Sequence, residues 1–138
     1  MKLSPLYILS FLFFSSFSSG PWYTLKASIH GIENIKGKMA IQVLKDDGEV
    51  HSEFWLPVES KEMSFEVNGL VSGNYAVKFF HDENNNGKMD TNWMGVPIES
   101  FGFSNDPRVT FGLPDLEEML FPINSETEIR IKARKFSL

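Results

Sequence analysis

Apolar and polar residues alternate in short runs along this chain, and that alternation restricts the fold more than any other feature. Tyr23, Leu25, Ala27 and Ile29 alternate with Thr24, Lys26, Ser28 and His30. A period of two places one set on a buried face and the other in water, which is a half-buried strand. Lys38 to Lys45 repeats the pattern with Met39, Ile41 and Val43 on one face, and Glu62 to Val67 repeats it with Met63, Phe65 and Val67. Tyr75 to His81 carries Tyr75, Val77 and Phe79 inward, and Ala76 and Phe80 give its other face apolar cover, the mark of a central strand. Val50 to Leu56 reads as a short or irregular edge limited by Pro57. Thr127 to Ala133 closes the chain with Ile129, Ile131 and Ala133 inward, and Val109 to Gly112 is a further short candidate.

Helical signals are almost absent. Asp115 before Leu116-Glu117-Glu118-Met119-Leu120 predicts one capped helical turn. Turn signals such as Asp46-Asp47-Gly48, Asn68-Gly69 and Ser72-Gly73-Asn74 punctuate the strands. Short strands with turns about every 8–12 residues predict an all-β fold, an antiparallel β-sandwich of about seven strands with one long ordered loop.

Composition removes several functions. The chain has no cysteine, which excludes disulfides, a thiolate zinc site, a cysteine nucleophile and a lipoprotein anchor. The net charge is -5, and no basic footprint for nucleic acid is present. The start, MKLSPLYILSFLFFSSFSSG, has a basic Lys2, an apolar run from Leu6 to Phe14 and then small residues. That is the pattern of a secretory signal peptide. The run falls short of the roughly 20 residues a spanning helix needs. The expected organisation is a signal peptide over 1–18 and one sandwich domain over 19–138. The mature protein is then exported, to the periplasm or the extracellular space, with no stable membrane span.

Function concentrates in the passage from Asp82 to Asp106, about 25 residues without a period. It contains Trp93, Met94, Val96, Ile98, Phe101 and Phe103, which fits an ordered loop and not a disordered one. With Asp82 as position 1, oxygen side chains fall at position 3 (Asn84), 5 (Asn86) and 9 (Asp90). Gly87 stands at position 6, where a calcium loop turns sharply, and Lys88 at position 7 offers its carbonyl. A hard dication takes six to eight oxygens, and alternate side chains of a tightly wound loop can supply them from one strand of chain. Position 12, normally a glutamate, is Trp93; Glu99 is the nearest later carboxylate and closes the shell if the chain folds back after Gly95. The competing reading is an Asn/Gly turn whose side chains bond their own backbone.

The stretch GNYAVKFFHDENNNGKMDTNWMGVPIESFGFSND resembles the signature of exported bacterial proteins of the domain of unknown function 2141 family. Gly73, Tyr75, His81, Asp82, Asn84, Asn86, Gly87, Asp90, Gly95, Glu99 and Ser104 are among the matching positions. The resemblance implies export and a prealbumin-like or immunoglobulin-like sandwich, and it carries no activity with it.

Three other constellations stand beside the loop. His81 with Glu99 or Asp90 would suit a small periplasmic hydrolase or isomerase, but no nucleophile is marked. His30, His51 and His81 have no zinc spacing. Trp22, Trp55, Trp93, Phe101 and Phe103 could together face a carbohydrate or a protein partner, or serve as core plugs and loop anchors. The reading that the residues favour is a non-catalytic exported module with a calcium loop. Its ligands are Asp82, Asn84, Asn86, Lys88, Asp90 and Glu99.

Overall fold

The alternating segments become strands because each has one face to bury and another to wet. The computed structural model describes residues 20–110 and 112–136; the signal peptide expected over 1–18 lies outside the described residues. In chain order the elements are β1 (Tyr23–His30), β2 (Lys38–Lys45), β3 (Val50–Pro57), β4 (Glu62–Leu70), β5 (Gly73–Asp82), β6 (Phe101–Phe103), α1 (Leu116–Met119), β7 (Phe121–Ile123) and β8 (Thr127–Lys132). They form two sheets, β4-β1-β8 and β3-β2-β5-β6, with β7 also on β5. This is the expected all-β sandwich, with eight strands.

The interior lies between the sheets. Leu25, Ala27 and Ile29 of β1 meet Met39, Ile41 and Val43 of β2 and Tyr75, Val77 and Phe79 of β5, all buried in one cluster. A second apolar cluster covers the outer face of the larger sheet, where Leu44 and Ala76 pack with Phe101, Phe103 and Met119. The central position expected of β5 follows: both its faces are covered.

Three departures from expectation have physical causes. β8 runs parallel to β1, pairing Leu25 with Thr127 and His30 with Lys132. A parallel neighbour is open to β8 because it is not joined to β1 by a direct turn, so no hairpin geometry constrains it. β3 is a full edge strand, paired with β2 through a register shift at Val43/Leu44. Pro57 ends it at the last position, where proline is tolerated. The long passage after Asp82 is broken by β6, which pairs Lys78 with Phe103 and Phe80 with Phe101. Residues 107–110 form no strand, so the candidate beginning at Val109 is not realised among the described residues. The turn at Asp115 is realised as α1, with the Asp115 N–H donating to Glu118 Oε2 at 3.0 Å.

β5 is ten residues long, and its second edge is shared between two three-residue strands, β7 near Gly73 and β6 near Phe80. Ser104 fills the gap between them. Its N–H donates to the Val77 carbonyl at 2.8 Å, and its Oγ accepts the Val77 N–H at 2.9 Å. The same hydroxyl donates to the Met119 carbonyl at 2.5 Å. One buried side chain therefore does the pairing of a missing strand residue. Ser104→Ala leaves the Val77 N–H and the Met119 carbonyl unpaired in the interior. A loss of about 1–3 kcal/mol in unfolding free energy is expected by chemical denaturation; a change under a few tenths would mean water replaces the hydroxyl.

Candidate functional site

The loop after β5 is wound by its own side chains. Asp82 ends the strand, is fully buried, and takes the Asn86 N–H on Oδ1 (3.0 Å) and the Gly87 N–H on Oδ2 (2.9 Å). Asn84 Oδ1 also accepts the Asn86 N–H at 3.2 Å, and Asn86 Oδ1 accepts the Lys88 N–H at 3.1 Å. Such bonds hold a chain in a tight coil only if some residues adopt a left-handed backbone, and Asn85 (φ 58°) and Gly87 (φ 79°) do so. The asparagine amides then meet Asp90. Asn84 Nδ2 donates to its Oδ2 at 2.6 Å, and Asn86 Nδ2 to its Oδ1 at 2.7 Å.

Glu99 closes the loop, since the chain does fold back after Gly95. Thr91 bridges Pro97, the Asn92 N–H donates to the Val96 carbonyl at 2.9 Å, and the Ile98 N–H donates to the Asp90 carbonyl at 3.0 Å. Trp93 sits at the tip of this turn, 91% exposed. Glu99 is buried and spans the neck: Oε1 accepts the Glu83 N–H at 2.9 Å and Oε2 the Asp90 N–H at 3.0 Å. A single carboxylate thus ties the first and last turns of the loop.

Five of the expected residues, Asp82, Asn84, Asn86, Asp90 and Glu99, are joined in this one network, and Lys88 lies within the winding through its N–H. Among the described residues, no group of three or more His, Asp or Glu side chains stands ready as a metal centre. The donor set nonetheless suits a hard cation. Each carboxylate oxygen that accepts one N–H retains another lone pair, and the carboxylates, amide oxygens and Lys88 carbonyl are the ligand types calcium takes.

His81 is not placed as a base. It is fully buried, its Nε2 lies 2.6 Å from the Lys36 carbonyl, and its Nδ1 is buried without a hydrogen-bond partner, 4.0 Å from Glu83 Oε1. The ring packs at the sandwich rim and holds the β1–β2 connection. The aromatic residues do not share one platform: Phe101 and Phe103 are buried, while Trp22, Trp55 and Trp93 are exposed.

Two anchors escaped the sequence reading. Glu83 falls between the loop's oxygen positions, yet its Oε2 takes Asn34 Nδ2 at 3.0 Å and Lys36 Nζ at 3.3 Å, and Lys135 Nζ lies 3.7 Å from its Oε1. Burial opposes the charge on Glu83, but the bonds from Asn34 and Lys36 and the charges of Lys135 and His81 outweigh it. They hold the carboxyl below the usual glutamate range. Gly37 is the second anchor. At φ 69° it lies against the loop's first peptide, where an added Cβ would overlap the Asp82 carbonyl oxygen and stand 2.8 Å from Glu83 Cα. Its glycine signal was visible in the sequence; its long-range contact was not.

The fold and the loop together define a class, a two-sheet all-β module with one Asn- and Asp-wound loop closed by a glutamate. The family described as "Uncharacterized protein conserved in bacteria (DUF2141)" matches residues 27–131, and the chain belongs to that family. Comparison with curated proteins and with solved structures gave no match.

Two outcomes are expected. Gly37→Ala should lower stability by several kcal/mol, because the backbone strain and the overlap with Asp82 add; a melt within a degree of wild type would show that the contact relaxes freely. Because the folded pKa of Glu83 is depressed, its contribution is present above the unfolded value and is lost as pH falls through the folded one. The gap in melting temperature between wild type and Glu83→Gln should therefore be open at pH 7 and close below about pH 4. A gap independent of pH would assign the effect to packing.

Proposed function

We propose that this chain is an exported, non-catalytic binding module whose loop 82–99 is stiffened by calcium. The ion would take oxygens from Asp82, Asn84, Asn86 and Asp90 and the Lys88 carbonyl, with Glu99 closing the site. The observation that carries the reading is the meeting of both asparagine amides on the Asp90 carboxylate, at 2.6 and 2.7 Å, beside the turn capped by Asp82. A cation bound among these groups would replace N–H donors with a stronger positive partner and hold the loop more tightly.

The stiffened loop presents Trp93 and Met94 at its tip, both exposed. An exposed indole beside polar groups suits contact with a carbohydrate or a protein. Export rests on the N-terminal pattern described above. Among the described residues no helix is long and apolar enough to cross a membrane. The hydrolase or isomerase reading through His81 finds no support, because the ring is buried and already engaged by a backbone carbonyl.

A thermal melt of the chain from Ser19, in EDTA and then in millimolar calcium with magnesium as control, tests the ion. Binding only to the folded state adds roughly 2.7 kcal/mol at a hundredfold excess over Kd, so a rise of several degrees is expected. The quantity to compare is the calcium-induced rise within each variant, since Asp82 also caps the turn. That rise should vanish in Asp90→Asn and Asp82→Ala. Superimposed wild-type melts in EDTA and calcium would make the loop a self-capped turn.

A further inference from the structure

The outer face of the five-stranded sheet is not flat. Two cross-strand rows form its floor. Register places Glu53, Gln42, Lys78 and Phe103 side by side in one row, and Trp55, Ala40, Phe80 and Phe101 in the next. Trp55 and Phe80 meet edge to face above the small Ala40, ring centroids 5.9 Å apart, and give the floor an aromatic surface. Met89, Val96 and Pro97 from the loop wall one side, and Val109 and Phe136 wall another. The resulting cleft holds about 910 Å3, toward the upper end of the roughly 300–1,000 Å3 typical of small-molecule sites.

Its lining is aromatic and aliphatic apart from four polar side chains, Gln42, Glu53, Lys78 and the exposed Thr110, and the first two are already engaged. Gln42 Nε2 donates to Glu53 Oε2 at 2.7 Å, and Trp55 Nε1 donates to Glu53 Oε1 at 3.0 Å. These bonds keep Glu53 ionised at the rim, with its carboxyl below the usual range. Lys78 is different. It is half-buried between Gln42 and Phe103, and no carboxylate among the described residues lies within ion-pair distance of it. Glu53 stands two strands away, roughly 10 Å across the sheet.

We infer that this cleft binds a small amphipathic carboxylate, a medium-chain fatty acid by chemical class. Its chain lies against Trp55, Phe80 and Phe101, and its carboxylate meets Lys78. Charge complementarity selects this occupant. An apolar concavity with one unpaired cation recovers both hydrophobic burial and a charge-assisted hydrogen bond from such a ligand. A sugar would find few free donors and acceptors here, because Gln42, Glu53 and Trp55 satisfy one another. The inference deepens the binding-module reading by naming a ligand, and it does not require the calcium ion. It does connect the two sites, since the wall residues Met89, Val96 and Pro97 belong to the loop.

Calorimetric titration of the protein with octanoate, decanoate and decanol, below their micellar concentrations, tests it. Affinity should rise about fourfold per added methylene. Lys78→Gln should weaken decanoate at least tenfold and leave decanol unchanged, and Lys78→Arg should restore most of the loss. Failure of wild type to bind decanoate would overturn the inference, as would equal binding of decanoate by wild type and Lys78→Gln. Each titration is run in EDTA and in calcium. Decanoate binding that depends on Lys78 in EDTA upholds the cleft even if the melts show no calcium response. A calcium response without decanoate binding upholds the ion and overturns the cleft.

Discussion

β5 must satisfy two backbone edges and two side-chain faces at once, and the molecule is arranged around that requirement. β2 takes one edge from Tyr75 to Asp82. The other edge is covered piecewise by β7, Ser104 and β6. Its inner face supplies Tyr75, Val77 and Phe79 to the core, and its outer face supplies Lys78 and Phe80 to the cleft. The strand then ends in His81 and Asp82, both buried, which begin the wound loop. A polar pair can stay buried at the end of a central strand only if every donor and acceptor finds a partner. Asp82 finds two N–H groups, and His81 finds the Lys36 carbonyl. His81 Nδ1 is the exception, facing Glu83 at 4.0 Å.

The loop owes its shape to carboxylates that take backbone N–H groups. Asp82 coils its start, Asp90 gathers two amides, and Glu99 ties the neck. Glu83 then fastens the coil to the β1–β2 connection through Asn34 and Lys36. The arrangement explains how a long stretch with few apolar anchors keeps one conformation, since each acid removes two unsatisfied donors or one free cation. It also places like charges near one another, a cost that a bound dication would offset.

The sequence carried the long strands because alternation over eight residues has few other meanings. β1 and β2 appear with the bounds read from their pattern. β6 and β7 were invisible for a physical reason. Three residues cannot display a period, Phe101-Gly102-Phe103 is buried on both faces, and Pro122 interrupts β7. The loop's oxygen spacing was legible, and so was the chain reversal after Gly95 that brings Glu99 back to it; the two backbone N–H groups that Glu99 takes were not. Glu83 and Lys78 were not legible. Their partners, or the absence of them, are set by strand neighbours that local sequence does not reveal. The cleft likewise exists only once register sets Trp55, Phe80 and Phe101 in one row.

The parallel pairing of β1 with β8 has a consequence for the order of assembly. β1 lies between β4 and β8, so one of its edges stays open until the end of the domain has been made. At ordinary translation rates the residues between them take on the order of ten seconds to emerge. During that interval the nascent chain offers an unpaired strand edge to any other extended segment. β8 covers that edge only after every other described strand has been made, so its arrival sets when the three-stranded sheet can close.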